Sequence, residues 1–209
     1  MIKKILKPFM PQFVLNIRKK QQKVKQIKEW KNNGCPIPPP HLVKQNTIKE
    51  YQQKYRYTIL VETGTFLGEM IEAQKKRFKQ IISIELGVDL FQKAQEKFSN
   101  DKHIQIYQGD SGKVLEKILQ SIEKPAIFWL DGHYSGGITA KGEKNSPIYE
   151  ELDAIFNSKK LNHVLLIDDA RCFVGKDDYP TIEELIKYIR NKNKKYQVEV
   201  KYDIIRCVV

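Results

Sequence analysis

From Tyr57 onward the sequence alternates short apolar runs with amphipathic segments. The apolar runs have the length of buried β-strands, and the segments between them repeat apolar residues at helical spacing. Five successive strand–helix units favour a parallel sheet with right-handed crossovers. The predicted strands are 58–62, 80–85, 104–108, 126–130 and 163–167, and the predicted helices are 68–78, 88–98, 112–122, 147–156 and 181–191.

The last 14 residues follow a different pattern. Two β-rich runs, 196–202 and 204–209, are joined too tightly for a crossover helix. Such a connection predicts an antiparallel hairpin at one edge of the sheet. The predicted fold class is therefore α/β, a Rossmann-like, doubly wound, mostly parallel seven-stranded sheet with a C-terminal antiparallel hairpin.

Two shorter units precede this alternation. Residues 1–33 place apolar side chains at roughly helical spacing among lysines, but Pro8 and Pro11 interrupt any long helix, so a helix is expected from about residue 12 to 30. Residues 34–56 form a proline-rich linker and a leading helix over 47–55, with Thr47 as its N-cap. The remainder, 57–209, is expected to be the main domain.

Charge is concentrated in the N-terminal arm, residues 1–33. The whole chain has 37 Lys and Arg against 25 Asp and Glu, a net charge of +12, of which the arm contributes +9. One interpretation is a basic amphipathic arm on an anionic membrane surface. The other is a helix packed on its own domain or on the second subunit of a homodimer. Nucleic acid is not favoured, because the arm has nine lysines and one arginine, a weak signal for that partner.

Composition excludes several classes of protein. Hydrophobic residues make up 41% of the chain, enough for a core, and no apolar run approaches the roughly 20 residues of a membrane-spanning helix. The three cysteines are scattered and lack zinc-ligand spacing. No secretory signal pattern is present. We therefore expect a cytoplasmic protein, with any membrane contact peripheral, at the inner face and through the arm.

The first strand is followed by the glycine motif Glu62-Thr-Gly64-Thr65-Phe-Leu-Gly68. Glycines let the backbone turn sharply and approach a ligand at a helix N-terminus. The motif is not G-x-G-x-x-G, so it is not the dinucleotide fingerprint. Acids also end the next two strands, at Glu85 and at Asp110-Ser111. Together these features resemble the class I S-adenosylmethionine-dependent methyltransferases.

That resemblance implies a cofactor site at the ends of the first four strands. Glu62, Gly64, Thr65 and Gly68 would form its loop, and Asp131, after the fourth strand, would complete it. Glu85 would accept the two ribose hydroxyls, and Asp110 with Ser111 would lie near the adenine. The alternative is that these acids are only N-caps and turn residues of a generic α/β sheet.

Three carboxylates follow strands four and five, namely Asp131, Asp168 and Asp169. Carboxylates that converge repel one another, and a hard divalent cation such as Mg²⁺ neutralises them. The arrangement is similar to metal-dependent O-methyltransferases of the catechol type and of the macrocin type, which acts on sugars. The resemblance implies that all three are metal ligands. The alternative is that one binds metal while another caps a loop or helix.

His133 and Tyr134 follow Asp131. The macrocin type has an acid as general base near the position of His133, and the catechol type has a lysine at the position of Tyr134, so the histidine is a departure. Neutral imidazole is nevertheless able to accept a proton from an acidified hydroxyl. We predict His133 as base, Tyr134 and Arg171 as substrate contacts, and residues 134–142, with three glycines, as a lid.

The predicted function is S-adenosylmethionine-dependent O-methyl transfer, assisted by Mg²⁺ or another divalent cation. The acceptor would be a hydroxyl of a small molecule or saccharide, in a polysaccharide or lipid-linked glycan pathway by analogy. One alternative is a metal-independent methyltransferase of RNA or other nucleic acid, although no Asn/Asp-Pro-Pro-aromatic motif follows strand four. Another is a non-catalytic, membrane-associated cofactor-binding module.

Overall fold

The computed structural model describes residues 12–132, 144–159 and 161–209. They form one seven-stranded sheet in the order β3-β2-β1-β4-β5-β7-β6. The first five strands are parallel, and β7 runs antiparallel to both β5 and β6. The strands are β1 Ile59–Thr63, β2 Gln80–Glu85, β3 Ile104–Gln108, β4 Ile127–Leu130, β5 Val164–Ile167, β6 Gln197–Lys201 and β7 Ile204–Val208. The predicted fold class is confirmed.

Seven α-helices and one 3₁₀ helix are described around this sheet. The predicted helices are all present, with ends shifted by up to four residues except for the helix before β1, which begins six residues early. The 3₁₀ helix after β5 was not predicted. Thr181 and Glu184 form a capping box at the start of the last helix. The helices are α1 Gln12–Asn32, α2 His41–Tyr55, α3 Glu69–Gln74, α4 Val88–Lys97, α5 Ser111–Leu119, α6 Ile148–Asn157, α7 Ile182–Lys192 and the 3₁₀ helix Ala170–Cys172.

Alternate residues of the central strands face the two sides of the sheet, as the period of two in a strand requires. One core joins Val61, Phe128 and Leu165 to α5, α6 and α7. The other joins Leu60 and Trp129 to α2, α3 and the end of α4. The centre of the sheet is therefore covered on both faces, which explains why β4 and β5 are continuously apolar, whereas the outer strands β3 and β6 alternate.

Helix α2 corrects one prediction. It begins at His41, directly after Pro40, and not at Thr47. Thr47 is a buried interior residue, and its hydroxyl donates to the carbonyl of Val43 at 3.1 Å instead of capping a helix. Prolines are compatible with a helix start because the first amides have no intrahelical acceptor. The extra turn carries Lys44, which becomes important below.

Helix α1 confirms the predicted helix in the arm. Among its described side chains Trp30 is the buried one: its indole nitrogen donates to the carbonyl of Pro36 at 2.7 Å, and its ring stands edge-on to Tyr202 at 5.0 Å. The arm is thus anchored on the β6–β7 hairpin through one aromatic residue. Within the described ranges, no helix is long and apolar enough to cross a membrane. Membrane and second-subunit contacts stay predictions.

Candidate functional site

The predicted site residues of the described chain lie at one edge of the sheet, where the parallel strands end. Thr63 pairs with Leu130, and Leu130 pairs with Ile167, so the residues that follow β1, β4 and β5 are neighbours. The amide of Asp131 donates to the carbonyl of Thr63 at 3.2 Å and to its hydroxyl at 3.1 Å. Ligands of open α/β sheets bind at this edge.

Gly64 brings the glycine motif against the end of β4. Its φ is +82°, a left-handed conformation that favours glycine, and its amide donates to the carbonyl of Ile84 at 2.9 Å. A Cβ at this position would lie 2.2 Å from the carbonyl oxygen of Asp131. Close approach to the backbone of Asp131 therefore requires glycine here, and the approach to a ligand that the motif predicts stays a prediction.

Glu85 holds the glycine motif in place. Its carboxylate accepts from the amide of Phe66 at 2.7 Å and from the amide of Gly87 at 2.9 Å, and the residue is buried. A carboxylate has about four acceptor positions, so two amides leave capacity for hydroxyl donors. The contact with ribose hydroxyls stays a prediction, and the structure adds a positioning role that the sequence did not indicate.

A chain of buried hydrogen bonds also joins the glycine motif to β2. The hydroxyls of Thr65 and Ser83 lie 2.6 Å apart, and Ser83 donates to Glu62 at 2.6 Å. Burial raises the pKa of Glu62 to about 8, against the smaller opposite effect of the Ser83 hydrogen bond. Glu62 and Thr65 therefore act here as the internal support of the loop.

Asp110 and Ser111 occupy the start of α5. Asp110 is the N-cap and accepts from the amide of Gly112 at 3.0 Å, which is the helix-cap alternative considered for it. Ser111 donates to the buried carboxylate of Glu151 at 2.6 Å. A Cβ on Gly132 would meet that carboxylate at 2.8 Å and the Ser111 hydroxyl at 2.9 Å. Glu151 thus borders the site. In the sequence it is simply an acid in the first turn of α6, and nothing there indicates this role.

The carboxylates that follow β5 are bound by a lysine that the sequence did not single out. The ammonium of Lys44 in α2 lies 2.5 Å from Asp168 Oδ2 and 3.0 Å from Asp169 Oδ1. The side chain of Asp168 is only 1% exposed and that of Lys44 14%. This buried pair joins two segments that are 124 residues apart in the sequence.

Burial and the neighbouring charges both shift the pKa values of these groups. Burial and the neighbouring Asp168 raise the pKa of Asp131 well above its ordinary value, and burial raises the pKa of Asp168 to about 6 despite Lys44. Burial opposes the charged form of Lys44, but the attraction of Asp168, Asp169 and Asp131 outweighs it and raises the Lys44 pKa. The ammonium is therefore charged at neutral pH.

Arg171 is held by acids of its own protein. Its guanidinium donates to both carboxylate oxygens of Asp169, at 2.8 and 3.0 Å, and also to Asp203. Asp203 in the β6–β7 turn further accepts from the amide of Arg171 at 2.8 Å. The predicted role of Arg171 as a substrate contact stays a prediction, and its observed role is to fix Asp169.

Tyr179 is a further residue that the sequence pattern missed. Its ring packs edge-on against Phe173 at 5.3 Å. Burial, together with the nearby charges of Cys172, Asp169 and Asp131, raises the pKa of its hydroxyl. The phenol therefore belongs to the surroundings of the carboxylates, in the segment between the 3₁₀ helix and α7, where no helical or strand period marks it.

The described residues do not fit a divalent cation as they are arranged. Mg²⁺ requires oxygen ligands at about 2.0–2.1 Å in near-octahedral geometry. The Lys44 ammonium instead lies between Asp168 and Asp169, and Arg171 takes both oxygens of Asp169. Across the described ranges, no group of three His, Cys, Asp or Glu side chains is arranged to bind a metal.

Two predicted site residues, His133 and Tyr134, lie outside the described residues, as does the predicted lid over residues 134–142. The base, one substrate contact and the lid therefore stay sequence predictions. Lys144, at the start of the next described range, forms an ion pair with Glu150.

Solved structures share this fold at low sequence identity. An O-methyltransferase from Bacillus cereus in complex with S-adenosylhomocysteine (SAH) has a TM-score of 0.59 and 11% identity, covering 98% of this chain and 94% of that chain. The SAH-bound methyltransferase PaMTH1 of Podospora anserina has a TM-score of 0.56 and 11% identity, covering 97% and 98%. The O-methyltransferase TomG of Streptomyces achromogenes, involved in tomaymycin synthesis and in complex with S-adenosylmethionine (SAM), has a TM-score of 0.55 and 12% identity, covering 90% and 88%.

No protein-family model and no curated protein matches the sequence. At identities of 11–12% the solved structures establish the fold alone. The chain has the fold of the class I SAM-dependent methyltransferases.

Proposed function

We propose that this protein is a SAM-dependent O-methyltransferase that acts on a hydroxyl of a small molecule or saccharide. The observation that carries the proposal is the meeting of two features at one sheet edge. Gly64 of the glycine motif touches the backbone of Asp131, and the acids after β5 lie beside it. Cofactor loop and carboxylate cluster are thus adjacent.

The cofactor would bind along the ends of β1, β2 and β3. Gly64 lets the backbone approach the ligand closely, and Glu85 fixes the loop while retaining acceptor capacity for ribose hydroxyls. Asp110 and Ser111 would lie near the adenine. That TomG is solved with SAM, and the Bacillus cereus enzyme with SAH, supports this assignment.

Transfer to oxygen is favoured by the charged groups beyond the cofactor loop. A lone pair of the acceptor oxygen forms the new C–O bond while the C–S bond of SAM breaks. The electron pair of that C–S bond passes to sulfur, giving SAH. The hydroxyl proton must go to a base, a role that we assign to His133. Asp131 would orient the acceptor, and most of the acceleration would come from positioning. Two of the structurally similar proteins are described as O-methyltransferases.

Two measurements test the proposal. The first is calorimetric titration with SAM and SAH, and the second is transfer of a radiolabelled methyl group to a panel of saccharides and hydroxylated small molecules. We expect saturable binding of both ligands. With an acceptor from that panel, Asp131→Asn should lower turnover by about 100-fold while leaving cofactor affinity largely intact. Asp101→Asn, before β3 at the opposite edge of the sheet, is the matched control and should retain full turnover. Absence of SAM binding would contradict the proposal.

A further inference from the structure

Helix α2 delivers Lys44 to the acceptor side of the site from a rigid position. Ile48 and Tyr51, on the same helical face as Lys44, are buried in the core shared with Leu60 and Trp129. The position of the ammonium is therefore set by a packed helix rather than by a loop.

The Lys44 ammonium neutralises the same carboxylates that a divalent metal ion would neutralise. Its ammonium bridges Asp168 and Asp169 at 2.5 and 3.0 Å, and both side chains are largely withdrawn from water, at 1% and 10% exposure. Buried carboxylates this close require a compensating positive charge. Arg171 supplies a second one on Asp169. Two fixed cations thus already contact the pair that follows β5, with Arg171 shared between Asp169 and Asp203.

We infer that Lys44 is the resident cation of the carboxylate cluster and takes the place of the divalent ion implied by the resemblance to metal-dependent O-methyltransferases. The ammonium has three N–H donors, and among the described residues two of them are directed to Asp168 and Asp169. The third is left for the acceptor oxygen. Only this last role rests on the proposed function; the exclusion of the ion does not.

Mn²⁺ titration followed by electron paramagnetic resonance tests the inference without any acceptor. The proteins to compare are the wild type, Lys44→Met, the double variant Lys44→Met/Asp168→Asn, and Lys54→Met. Methionine removes the charge while keeping the length of the side chain. Lys54, exposed on the same helix, is the matched control.

We expect Lys44→Met to gain one saturable Mn²⁺ site that binds at least about tenfold more tightly than any in the wild type, because Asp168 and Asp169 then lose their shared ammonium beside Asp131. The double variant should lose that site, and Lys54→Met should behave as the wild type. Wild-type binding as tight as that of Lys44→Met, or no gain in Lys44→Met, would overturn the inference.

A folding defect in Lys44→Met would leave the question decidable. The wild type and Lys44→Arg, which retains the charge, are then compared with Asp168→Asn. A wild-type Mn²⁺ site that Asp168→Asn removes overturns the inference, and absence of such a site in the wild type and in Lys44→Arg supports it. Failure to bind SAM would defeat the proposed function and leave this result unaffected.

Discussion

Gly34 and Gly64 have almost the same backbone conformation, with φ values of +81° and +82°. They differ in what surrounds them. A Cβ on Gly34 would meet nothing within 4 Å, whereas one on Gly64 would overlap the carbonyl of Asp131 at 2.2 Å. Comparing substitutions at Gly34 and Gly64 therefore distinguishes the cost of a left-handed backbone, which both positions share, from the steric clash with Asp131, which only Gly64 has.

Gly64→Ala should lower the free energy of unfolding by more than about 3 kcal/mol, because backbone atoms of β1 and β4 must move apart. Gly34→Ala should lower it by about 1 kcal/mol, the cost of the left-handed conformation alone. Urea denaturation measures both. SAM titration should show weakened binding for Gly64→Ala only. Equal effects of the two substitutions on stability would contradict the importance of the close approach.

At the scale of elements, the β6–β7 hairpin holds the 3₁₀ helix that carries Arg171. The side chain of Asp203 is 1% exposed and accepts from both the amide and the guanidinium of Arg171, while its carbonyl accepts from the amide of Ala170 at 2.9 Å. The antiparallel edge of the sheet thereby fixes the backbone next to Asp169. A hairpin that reads as a closing edge in the sequence is also part of the site.

Asp203→Ala should destabilise the protein by about 3 kcal/mol, because it leaves the amide of Arg171 without its acceptor and removes one of the two carboxylates that bind its partly buried guanidinium. Chemical denaturation measures the loss. Glu123→Ala, which removes an exposed ion pair with Lys159, is the control and should cost less than about 1 kcal/mol. If both variants lose the same small amount, the turn does not anchor the 3₁₀ helix.

For the whole molecule, buried acids at one sheet edge make stability depend on pH. Burial raises the pKa of Glu62 to about 8 and that of Asp168 to about 6, and it raises the pKa of Asp131 as well. Each folded carboxyl keeps a proton that the unfolded chain has already released. The folded state therefore binds more protons over this range, and its stability falls as pH rises.

Glu62→Gln isolates one contribution. In the wild type the contribution of Glu62 is fully present below its ordinary pKa of 4.5 and is lost as pH rises to about 8, with an upper limit of roughly 5 kcal/mol. Glutamine still accepts the Ser83 hydroxyl but does not titrate, so the variant should lose stability less steeply between these pH values. Denaturation at a series of pH values is the measurement. If the stability of Glu62→Gln and of the wild type changed in the same way with pH, burial would not raise the pKa of Glu62. Glu50→Gln, at an exposed position, is the control and should follow the wild type.

The sequence by itself determined the order of strands and helices, because hydrophobic periodicity and helix caps are local properties of the chain. Right-handed crossovers and the tight final connection then predicted a mostly parallel sheet with an antiparallel hairpin at one edge, whereas the strand order β3-β2-β1-β4-β5-β7-β6 came from the structure. The glycine motif and the acids at the strand ends followed for the same reason, since parallel strands place their C-terminal ends at one edge. The sequence predicted a sharp turn at Gly64, and only the structure showed that this residue packs against the backbone of Asp131.

Only the tertiary structure decided which charges meet. Lys44 reaches Asp168 across 124 residues, and Asp203 reaches Arg171 across 32, and no periodicity encodes such pairs. The predicted start of α2 was wrong by six residues, because the sequence offers two possible starts, after Pro40 and at Thr47. Which side chains of α2 are buried depends on the sheet that the helix covers, and this is not visible in the sequence. The sequence therefore placed three carboxylates at one edge, and the packing of α2 placed the cation between two of them.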